Sequence, residues 1–390
     1  MTGRTAKATA LGAWADRYRS WFLDAAAPLW SGSGRHAGGG FYEALTFAGT
    51  PVPSDTARVR VQGRQVYLFS AAHQMGWDGG DTHAIVDRGV DVMLTACRRP
   101  DGLFGRTVDL DAARLEDATA DLYDTAFCLF ALGHARPVLG DRVDGAIRDT
   151  MAALDRELAC GDNAGFRETL PAPPHRLQNP HMHLLESAMT VHDHCGGRIG
   201  RPVVDALYAF IARQFFEHDD GWVKERTDGK GVPLDHAFEP GHSFEWVWLL
   251  AWHARLAGVP VAPFQRALYD RALPTLDRAG RACMKVDLDG EPIDPSCRLW
   301  SQTEALKAHL TMARSTDPSI AAAALDAAVA GCERIMHDWL DTADVAGGWL
   351  DHVDAAGRLL AKDMPASTGY HIVSAITELH RTATDLAGDR

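Results

Sequence analysis

Apolar side chains recur at steps of three and four along most of the chain, and this spacing constrains the fold more than any other feature. The first such stripe consists of Leu11, Trp14, Tyr18, Trp21, Phe22 and Ala25. The same spacing returns over residues 325–336 and 372–379, whereas strictly alternating runs are scarce and short. Side chains three and four positions apart share one face of an α-helix, so the pattern predicts an all-α protein.

Glycine and proline clusters, together with capping residues, divide this pattern into twelve helices, which predicts six helical hairpins. The predicted helices cover residues 8–29, 55–79, 81–97, 117–135, 140–155, 179–196, 200–214, 240–257, 260–277, 301–314, 318–338 and 368–388. Segments rich in glycine and aspartate at 219–238, 283–298 and 342–362 predict short β-hairpins with Asp-Gly or Ala-Gly turns. Because no low-complexity linker interrupts the pattern, we expect one domain over residues 1–390.

Charge and composition argue against several classes of partner. The 39 Lys and Arg residues against 52 Asp and Glu give a formal charge of −13, which repels nucleic acids and anionic membranes. The apolar run at residues 246–252 is far shorter than the ~20 residues that span a bilayer. We therefore expect neither a nucleic-acid partner nor a membrane partner.

The cysteines and the first helix indicate the compartment. Seven cysteines, an odd number without CxxC spacing, predict reduced thiols. The first predicted helix carries charged residues and lacks the continuous apolar core of an export signal. These features predict a cytoplasmic protein, either a monomer or a homodimer.

Unusual polar residues lie near the start of every second predicted helix, about 60 residues apart. They are Arg60, Tyr123 with Asp124, His183 with Glu186, His242 with Glu245, Trp300 with Gln302 and Glu304, and His371. If six hairpins close into a ring with these helices inside, the polar residues meet at one end, around one cavity, and could bind a substrate there. An open solenoid that serves as a binding module is the alternative, but solenoids usually show stricter repeats.

Two His-x-x-Glu motifs suggest acid/base chemistry. His183 and Glu186 share one helix face, as do His242 and Glu245, so each glutamate could orient its imidazole. A helix N-terminus disfavours imidazolium, which predicts that His242 and His371 are neutral bases near pH 7. Two bases and a cation that stabilises an oxyanion, here Arg60, can remove a proton alpha to a carbonyl.

Other chemistries fit the spacing less well. Two pairs of histidines could be considered as metal ligands, His181 with His183 and His192 with His194. Side chains two positions apart on a helix point about 200° apart, so neither pair can bind one metal ion from one face. No HExxH motif occurs either, so we expect no metal. No glycine-rich phosphate loop indicates a nucleotide, so we expect no cofactor. Carboxylates such as Glu245 and Glu304 would suit an (α/α)6 glycoside hydrolase, but histidine dominates the polar set.

Six ordered motifs resemble the N-acylglucosamine 2-epimerase superfamily. They are RVRVQGRQVYLFS (58–70), DLYDTAFCLFAL (121–132), NPHMHLLE (179–186), EPGHSFEWVWLL (239–250), RLWSQTEALKA (298–308) and KDMPASTGYHIV (362–373). The resemblance spans essentially the whole chain. It implies an (α/α)6 barrel and metal-independent proton transfer on an open-chain sugar through a cis-enediol.

The resemblance also implies roles for individual residues. His242 and His371 match the two acid/base histidines, and Arg60 and His183 match groups at the carbonyl end of the substrate. Glu245 and Trp300 match neighbours that shape the site.

The resemblance further bears on the substrate. The ending MPASTGYH is similar to that of mannose isomerases, so we expect interconversion of D-mannose and D-fructose. A sugar 2-epimerase needs almost the same residues. A phospho- or sulfo-sugar substrate also stays open, with candidate contacts from Arg35, Arg58, Arg64 or Arg114.

Overall fold

The computed structural model describes residues 3–54, 56–161, 165–197 and 200–388. These residues form twelve main helices, here numbered α1–α12. They are α1 (Gly3–Ser20, continued by Trp21–Ala26 and Ala27–Gly32), α2 (Val59–Gln74), α3 (Thr82–Val92, continued by Met93–Cys97), α4 (Leu122–Leu139), α5 (Asp144–Ala153, continued by Leu154–Leu158), α6 (Gln178–His194), α7 (Arg201–Phe215), α8 (Pro240–Ala257), α9 (Phe264–Ala272), α10 (Leu299–Met312), α11 (Pro318–Ile335, continued by Met336–Leu340) and α12 (Gly369–Gly388). Short 3₁₀ turns cover Gly140–Val143, Leu273–Thr275 and Ala366–Thr368.

The even-numbered helices form a closed inner ring. They contact one another in chain order, and α12 returns to contact α2. The odd-numbered helices α3 to α11 pack outside this ring against their neighbours in the chain, whereas α1 packs against α12 and α11. The structure thus confirms the all-α class and the (α/α)6 barrel. None of the described helices is both long enough and apolar enough to cross a lipid bilayer.

Short strands connect the loops at one end of the barrel. In chain order they are β1 (Ala44–Leu45), β2 (Ala57–Arg58), β3 (Thr107–Asp109), β4 (Arg114–Asp117), β5 (Ala120–Asp121), β6 (Thr169–Leu170), β7 (Arg176–Leu177), β8 (Phe216–Glu217), β9 (Trp222–Val223), β10 (Arg226–Thr227), β11 (Ala237–Phe238), β12 (Lys285–Asp287), β13 (Pro292–Asp294), β14 (Cys297–Arg298), β15 (His352–Val353) and β16 (Met364–Pro365). The antiparallel sheets are β1–β16, β2–β3–β4, β5–β6, β7–β10, β8–β9, β11–β12–β13 and β14–β15.

Six of these pairings position the inner helices. Each inner helix begins within a few residues of a strand: β2, β5, β7, β11, β14 or β16. Each of these strands pairs with a strand from the next loop around the ring, and β16 closes the circle by pairing with β1. The pairings therefore fix the N-termini of all six inner helices at the same end of the barrel.

The structure corrects several predicted boundaries. Two predicted β-hairpins are confirmed, β8–β9 with the left-handed Gly221 in its turn and β12–β13 with the left-handed Gly290. In segment 342–362 only one bridge, Val353 to Leu359, forms locally, because β15 pairs with β14 instead. The β3–β4 hairpin was not predicted, and α4 therefore begins at Leu122 rather than at residue 117. Residue 55, the predicted start of the second helix, lies outside the described residues.

Helices α2 and α4 approach closely at a glycine. A Cβ atom added to Gly63 would lie 2.6 Å from the backbone oxygen of Phe127. Backbone atoms cannot move aside as a flexible side chain can, so only glycine fits this contact. Gly12 on the outer helix α1 is different, because an added Cβ there would have no neighbour within 4 Å.

These two glycines form a matched pair for a stability test. Gly63→Ala should lower the free energy of unfolding by about 1–3 kcal/mol, since it overpacks the inner ring. Gly12→Ala should raise it by about 0.5–1 kcal/mol, the usual gain for alanine inside a helix. Urea denaturation followed by circular dichroism measures both. Equal effects of the two changes would contradict the close packing of α2 on α4.

Candidate active site

A cavity of about 720 Å³ opens at the end of the barrel where the inner helices begin. All six inner helices contribute side chains to it, together with the loops. The lining residues are Arg58, Arg64, Tyr123, Asn179, His183, Glu239, His242, Glu245, Met284, Arg298, Trp300, Asp351, Ser367, Thr368 and His371. The structure thus brings together the positions that the sequence spaced about 60 residues apart.

Three histidines line this cavity, and two of them, His242 and His371, are each held by a glutamate from a different element. The Nδ1 atom of His242 lies 2.9 Å from Glu225, and Nδ1 of His371 lies 2.7 Å from Glu304. The Trp300 ring contacts both, with ring-centroid distances of 5.2 Å to His242 and 5.7 Å to His371. Burial and Glu245 raise the pKa of Glu304, but the ammonium of Lys307, 2.7 Å away, favours its ionised form. An ionised carboxylate only accepts hydrogen bonds, so Nδ1 donates in each pair and Nε2 is the atom available to a substrate.

The surroundings drive the pKa values of these histidines apart. Burial lowers the pKa of His242, but the carboxylates of Glu225 and Glu239 outweigh burial and raise it to about 10. Burial and the guanidinium of Arg64 hold the pKa of His371 well below its usual range. His242 is therefore cationic near pH 7 and His371 is neutral. The expectation that both are neutral is wrong for His242, because Glu225 arrives from a distant loop.

The predicted pairing of Glu245 with His242 does not form. Glu245 is fully buried, and neither of its carboxylate oxygens has a hydrogen-bond partner among the described residues. It lies within 4.8 Å of the ring nitrogens of both His183 and His371. Burying a carboxylate without partners costs free energy, so Glu245 is ready to accept a hydrogen bond from a ligand hydroxyl.

The pairing of His183 with Glu186 is confirmed. Nδ1 of His183 lies 2.9 Å from a Glu186 oxygen, and the hydroxyl of Tyr370 donates to the same carboxylate at 2.6 Å. Burial lowers the pKa of His183 to about 3, so its ring is neutral. Burial also raises the pKa of Glu186 to about 7. His183 therefore presents a fixed, uncharged imidazole to the cavity.

The structure separates Arg60 from the cavity. Its guanidinium donates to Asp124 at 2.9 Å, and its backbone N–H donates to the same carboxylate at 2.7 Å. Burial raises the pKa of Asp124 to about 7, although Arg60 opposes this effect. Arg60 and Asp124 thus pair with each other, and neither lines the cavity that holds His242 and His371.

Arg64, one helical turn after Arg60, lines the cavity instead. Its guanidinium donates to the Tyr123 hydroxyl at 2.9 Å and to the backbone oxygen of Ser367 at 3.2 Å. No carboxylate of the described residues forms an ion pair with it. Positions i and i+4 share a helix face, so the segment RVRVQGRQ offered both arginines without distinguishing them.

The side chain of Gln302 binds backbone groups of two chain segments. Its amide nitrogen donates to the backbone oxygens of Ala282 and Arg298 at 2.8 and 2.9 Å, and its oxygen accepts from the N–H of Ala282. These bonds fasten the loop between α9 and α10 to the start of α10. The polar atoms of Gln302 are thereby occupied, and the side chain does not line the cavity.

A buried lysine lies beneath the histidines. The ammonium of Lys307 lies 2.7 Å from Glu304 and 3.8 Å from the centre of the Trp248 ring. Burial lowers the pKa of Lys307, but Glu304 and Glu245 outweigh burial and raise it. Lys307 therefore stays charged, and it shares Glu304 with His371.

Sequence reasoning missed several residues of the site. They are Asn179, Glu225, Glu239, Met284, Asp351 and Thr368, together with Arg64, which the sequence offered only as a contact for an anionic group. Glu225 lies 17 residues before His242, between β9 and β10. No periodicity relates the two positions, so only the folded loop could reveal their contact.

Three clusters hold atoms close enough to bind a metal ion. They are His183 with Glu186 and Glu245, Glu225 with Glu239 and His242, and Glu245 with Glu304 and His371. The spacing of histidines on one helix could not reveal these clusters, because each cluster joins residues from different elements. Lys307 supplies a positive charge beside two of them, which disfavours a second cation. The expected absence of a metal remains a prediction.

The fold and the cavity together define an (α/α)6 barrel with a polar, histidine-lined site at the N-termini of its inner helices. The sequence pattern of the family described as N-acylglucosamine 2-epimerase (GlcNAc 2-epimerase) matches residues 40–375. The chain is 34% identical over 377 residues to a protein of Rhizobium meliloti (strain 1021) named mannose-6-phosphate isomerase, covering 92% of this chain and 95% of the relative. The chain therefore belongs to the N-acylglucosamine 2-epimerase family, and it is an enzyme of the sugar epimerase and isomerase class.

Solved structures share the fold at low sequence identity. Cellobiose 2-epimerase from Spirochaeta thermophila DSM 6192 superimposes with a TM-score of 0.86 at 20% identity, covering 97% of this chain and 98% of that one. A D-mannose isomerase gives a TM-score of 0.82 at 18% identity, covering 96% and 98%. These similarities support the barrel architecture and do not separate isomerase from epimerase.

The contact between Glu225 and His242 predicts a measurable titration. Glu225→Gln should lower the pKa of His242 by about one to three pH units, because it removes the nearest negative charge. Histidine-selective ¹⁵N labelling and NMR follow the ring through the titration. Glu239→Gln is the matched control, with a smaller effect expected at its longer distance of 3.6 Å.

The same contact predicts a dependence of stability on pH. The folded-state pKa of His242 lies above the unfolded value of about 6.5. Its stabilisation is therefore complete below about pH 6.5 and is lost as the pH rises towards 10. Glu225→Gln should reduce this stabilisation, as measured by denaturation at several pH values. A His242 titration that does not change in Glu225→Gln would contradict both expectations.

Proposed function

We propose that this protein is a sugar isomerase that interconverts D-mannose and D-fructose through a cis-enediol intermediate. The observation that carries the proposal is the pair of histidines, one neutral and one cationic, that both contact Trp300 and line one cavity. Titratable groups whose surroundings drive their pKa values apart are suited to act as a base and an acid.

The neutral histidine is the base in this proposal. Nε2 of His371 takes the proton from C2 of the open-chain aldose, while Glu304 accepts the hydrogen bond of Nδ1–H and stabilises the imidazolium that forms. His242 donates a proton to the carbonyl oxygen O1, which completes the enediol. His371 then returns its proton to C1 while His242 recovers a proton from O2, and the product is the ketose.

Arg64 stabilises the charge that develops on the carbonyl oxygen. Its guanidinium has no carboxylate partner in the described structure and lines the cavity with the two histidines. A fixed cation in a buried site stabilises an enediolate more than a neutral carbonyl. We therefore assign to Arg64 the role that the sequence assigned to Arg60. His183 and Glu245 lie where they could bind sugar hydroxyls.

The charges around the cavity favour an uncharged hexose. Arg58 is held by Glu43, with Nε donating at 2.6 Å, and Arg298 lies 3.8 Å from Asp351. The carboxylates of Glu239, Glu245 and Asp351 also line the cavity, and they would repel a phosphate. We therefore propose mannose rather than its 6-phosphate, even though the relative from Rhizobium meliloti carries the phosphosugar name.

A sugar 2-epimerase is the second candidate, and the same pair of histidines supports it. If O1 stays an enediolate oxygen and His242 instead donates its proton to the opposite face of C2, the product is the 2-epimer, here glucose, and His371 keeps the proton that it removed. A glycoside hydrolase has less support, because Glu304 is occupied by His371 and Lys307 and is not free to act on a glycosidic bond. Product identity decides between the candidates.

Proton NMR in deuterium oxide tests the proposal directly. The protein is incubated separately with D-mannose, D-fructose, D-glucose, cellobiose, N-acetylglucosamine and mannose 6-phosphate. We expect fructose from mannose, with turnover of the phosphosugar reduced at least tenfold. Glucose as the main product would establish the epimerase instead. No hydrogen exchange at C1 or C2 of any sugar would contradict both.

Two controls belong to this experiment. His242→Ala and His371→Ala should each lower kcat by a factor of about 10²–10⁴, the range for a lost acid or base. Activity should persist after treatment with EDTA. Loss of activity with EDTA and its recovery with a divalent cation would show that one of the His/Glu clusters binds a metal needed for the reaction.

Arg64 and Arg60 provide a matched pair on the same face of α2. Arg64→Lys should lower kcat by about 10²-fold or more, because lysine keeps the charge but loses the planar fork. Arg60→Lys should leave kcat within a few-fold and lower the melting temperature, since Arg60 pairs with the buried Asp124. The reverse pattern in kinetics and thermal melts would restore Arg60 to the site.

A further inference from the structure

A second cavity, of about 600 Å³, lies at the opposite end of the barrel. Its walls come from the later turns of the inner helices rather than from their N-termini. Four aromatic side chains form most of the wall: Tyr67 on α2, Phe130 on α4, and Trp248 and Trp252 on α8. The rings of Tyr67 and Phe130 lie 4.9 Å apart and those of Trp248 and Trp252 lie 5.3 Å apart. The cavity is thus bounded by two aromatic pairs.

Most polar groups around this second cavity already have partners. The indole N–H of Trp248 donates to Glu378, and that of Trp252 donates to Asp193. The hydroxyls of Ser374 and Thr377 donate to backbone oxygens of their own helix. The indole groups are therefore anchored by their edges, and their apolar surface is left to line the cavity.

The charged groups at the rim differ in how many hydrogen bonds and ion pairs they form. Glu378 accepts hydrogen bonds from both Arg314 and Arg381, at 2.6 and 2.8 Å. Arg255, which also lines the cavity, has a single ion pair, 3.7 Å from Asp193, and no hydrogen bond within the described residues. Burial and the nearby Arg381 lower the pKa of Arg255. An anion beside Arg255 would therefore offset the cost of burying its charge and the repulsion from Arg381.

We infer that this second cavity is a binding site for a small planar aromatic carboxylate. The ring would lie against Trp248 and Trp252 with Tyr67 and Phe130 opposite, because aromatic rings pack favourably on one another. The carboxylate would accept hydrogen bonds from Arg255, whose fork matches its two oxygens. A mostly apolar cavity of this size with a few charged groups at its rim is typical of small-molecule sites.

The second cavity also touches the network behind the catalytic cavity. Glu186 lines its floor, and the same carboxylate orients His183 and accepts from Tyr370. Trp248, which also lines the second cavity, contacts the ammonium of Lys307. An occupant would therefore lie one side chain away from the groups that hold His183 and His371. The inference concerns binding and does not rest on the proposed isomerase activity.

Isothermal titration of the full-length protein with indole-3-carboxylate tests the inference. We expect saturable binding of one molecule per chain, and weaker binding of neutral indole. Arg255→Gln should weaken binding of the carboxylate about tenfold or more and leave that of indole unchanged, because it removes a charge-assisted hydrogen bond. Trp252→Ala should weaken binding of both compounds.

Two control variants locate the site. Arg266→Gln changes an arginine of similar exposure on the outer helix α9 and should have no effect. Arg64→Lys alters the catalytic cavity and should also leave the affinity unchanged. The inference is overturned if no saturable binding occurs, if Arg255→Gln binds the carboxylate like the wild type, or if Arg64→Lys abolishes binding. Arg255 is half exposed, so its variant keeps the test valid even if Trp252→Ala does not fold.

Discussion

Burial of the inner helices on every side is the constraint on which the whole site depends. A helix flanked by two ring neighbours and covered by an outer helix has no solvent face, so its polar side chains need partners within the protein. Lys307 meets this need by pairing with Glu304, which in turn holds His371. Neither carboxylate oxygen of Glu245 has a hydrogen-bond partner among the described residues, and a ligand hydroxyl would supply one.

The two histidines show how the surroundings give one residue type two chemical states. Both lie in the first turn of an inner helix, where the helix dipole alone would favour a neutral ring. Two carboxylates, Glu225 and Glu239, face His242 and keep it protonated. The glutamate beside His371 is shared with the ammonium of Lys307, so less negative charge acts on that ring. His242 and His371 therefore differ in charge because of their partners rather than their positions in the helices.

Much of the architecture could be predicted from the sequence. The three- and four-residue spacing gave the helices, and polar residues recurring on alternate helices gave the ring and its functional end. The pair of His183 and Glu186 was predictable because both residues lie on one helix face. Helix ends were less accurate. The β3–β4 hairpin, for example, carries no Asp-Gly signal and displaced the predicted start of α4.

Periodicity by itself determined which residues lie inside the barrel and at which end, because those properties depend on neighbours in the chain. Only the tertiary structure decided which of Arg60 and Arg64 faces the cavity. Arg60 forms an ion pair with Asp124, which lies 64 residues later in the chain. Likewise only the folded loop brings Glu225 to His242 and makes that ring a cation. A side chain's charge and direction depend on partners that no local spacing encodes, because electrostatic contacts act through space and not along the chain.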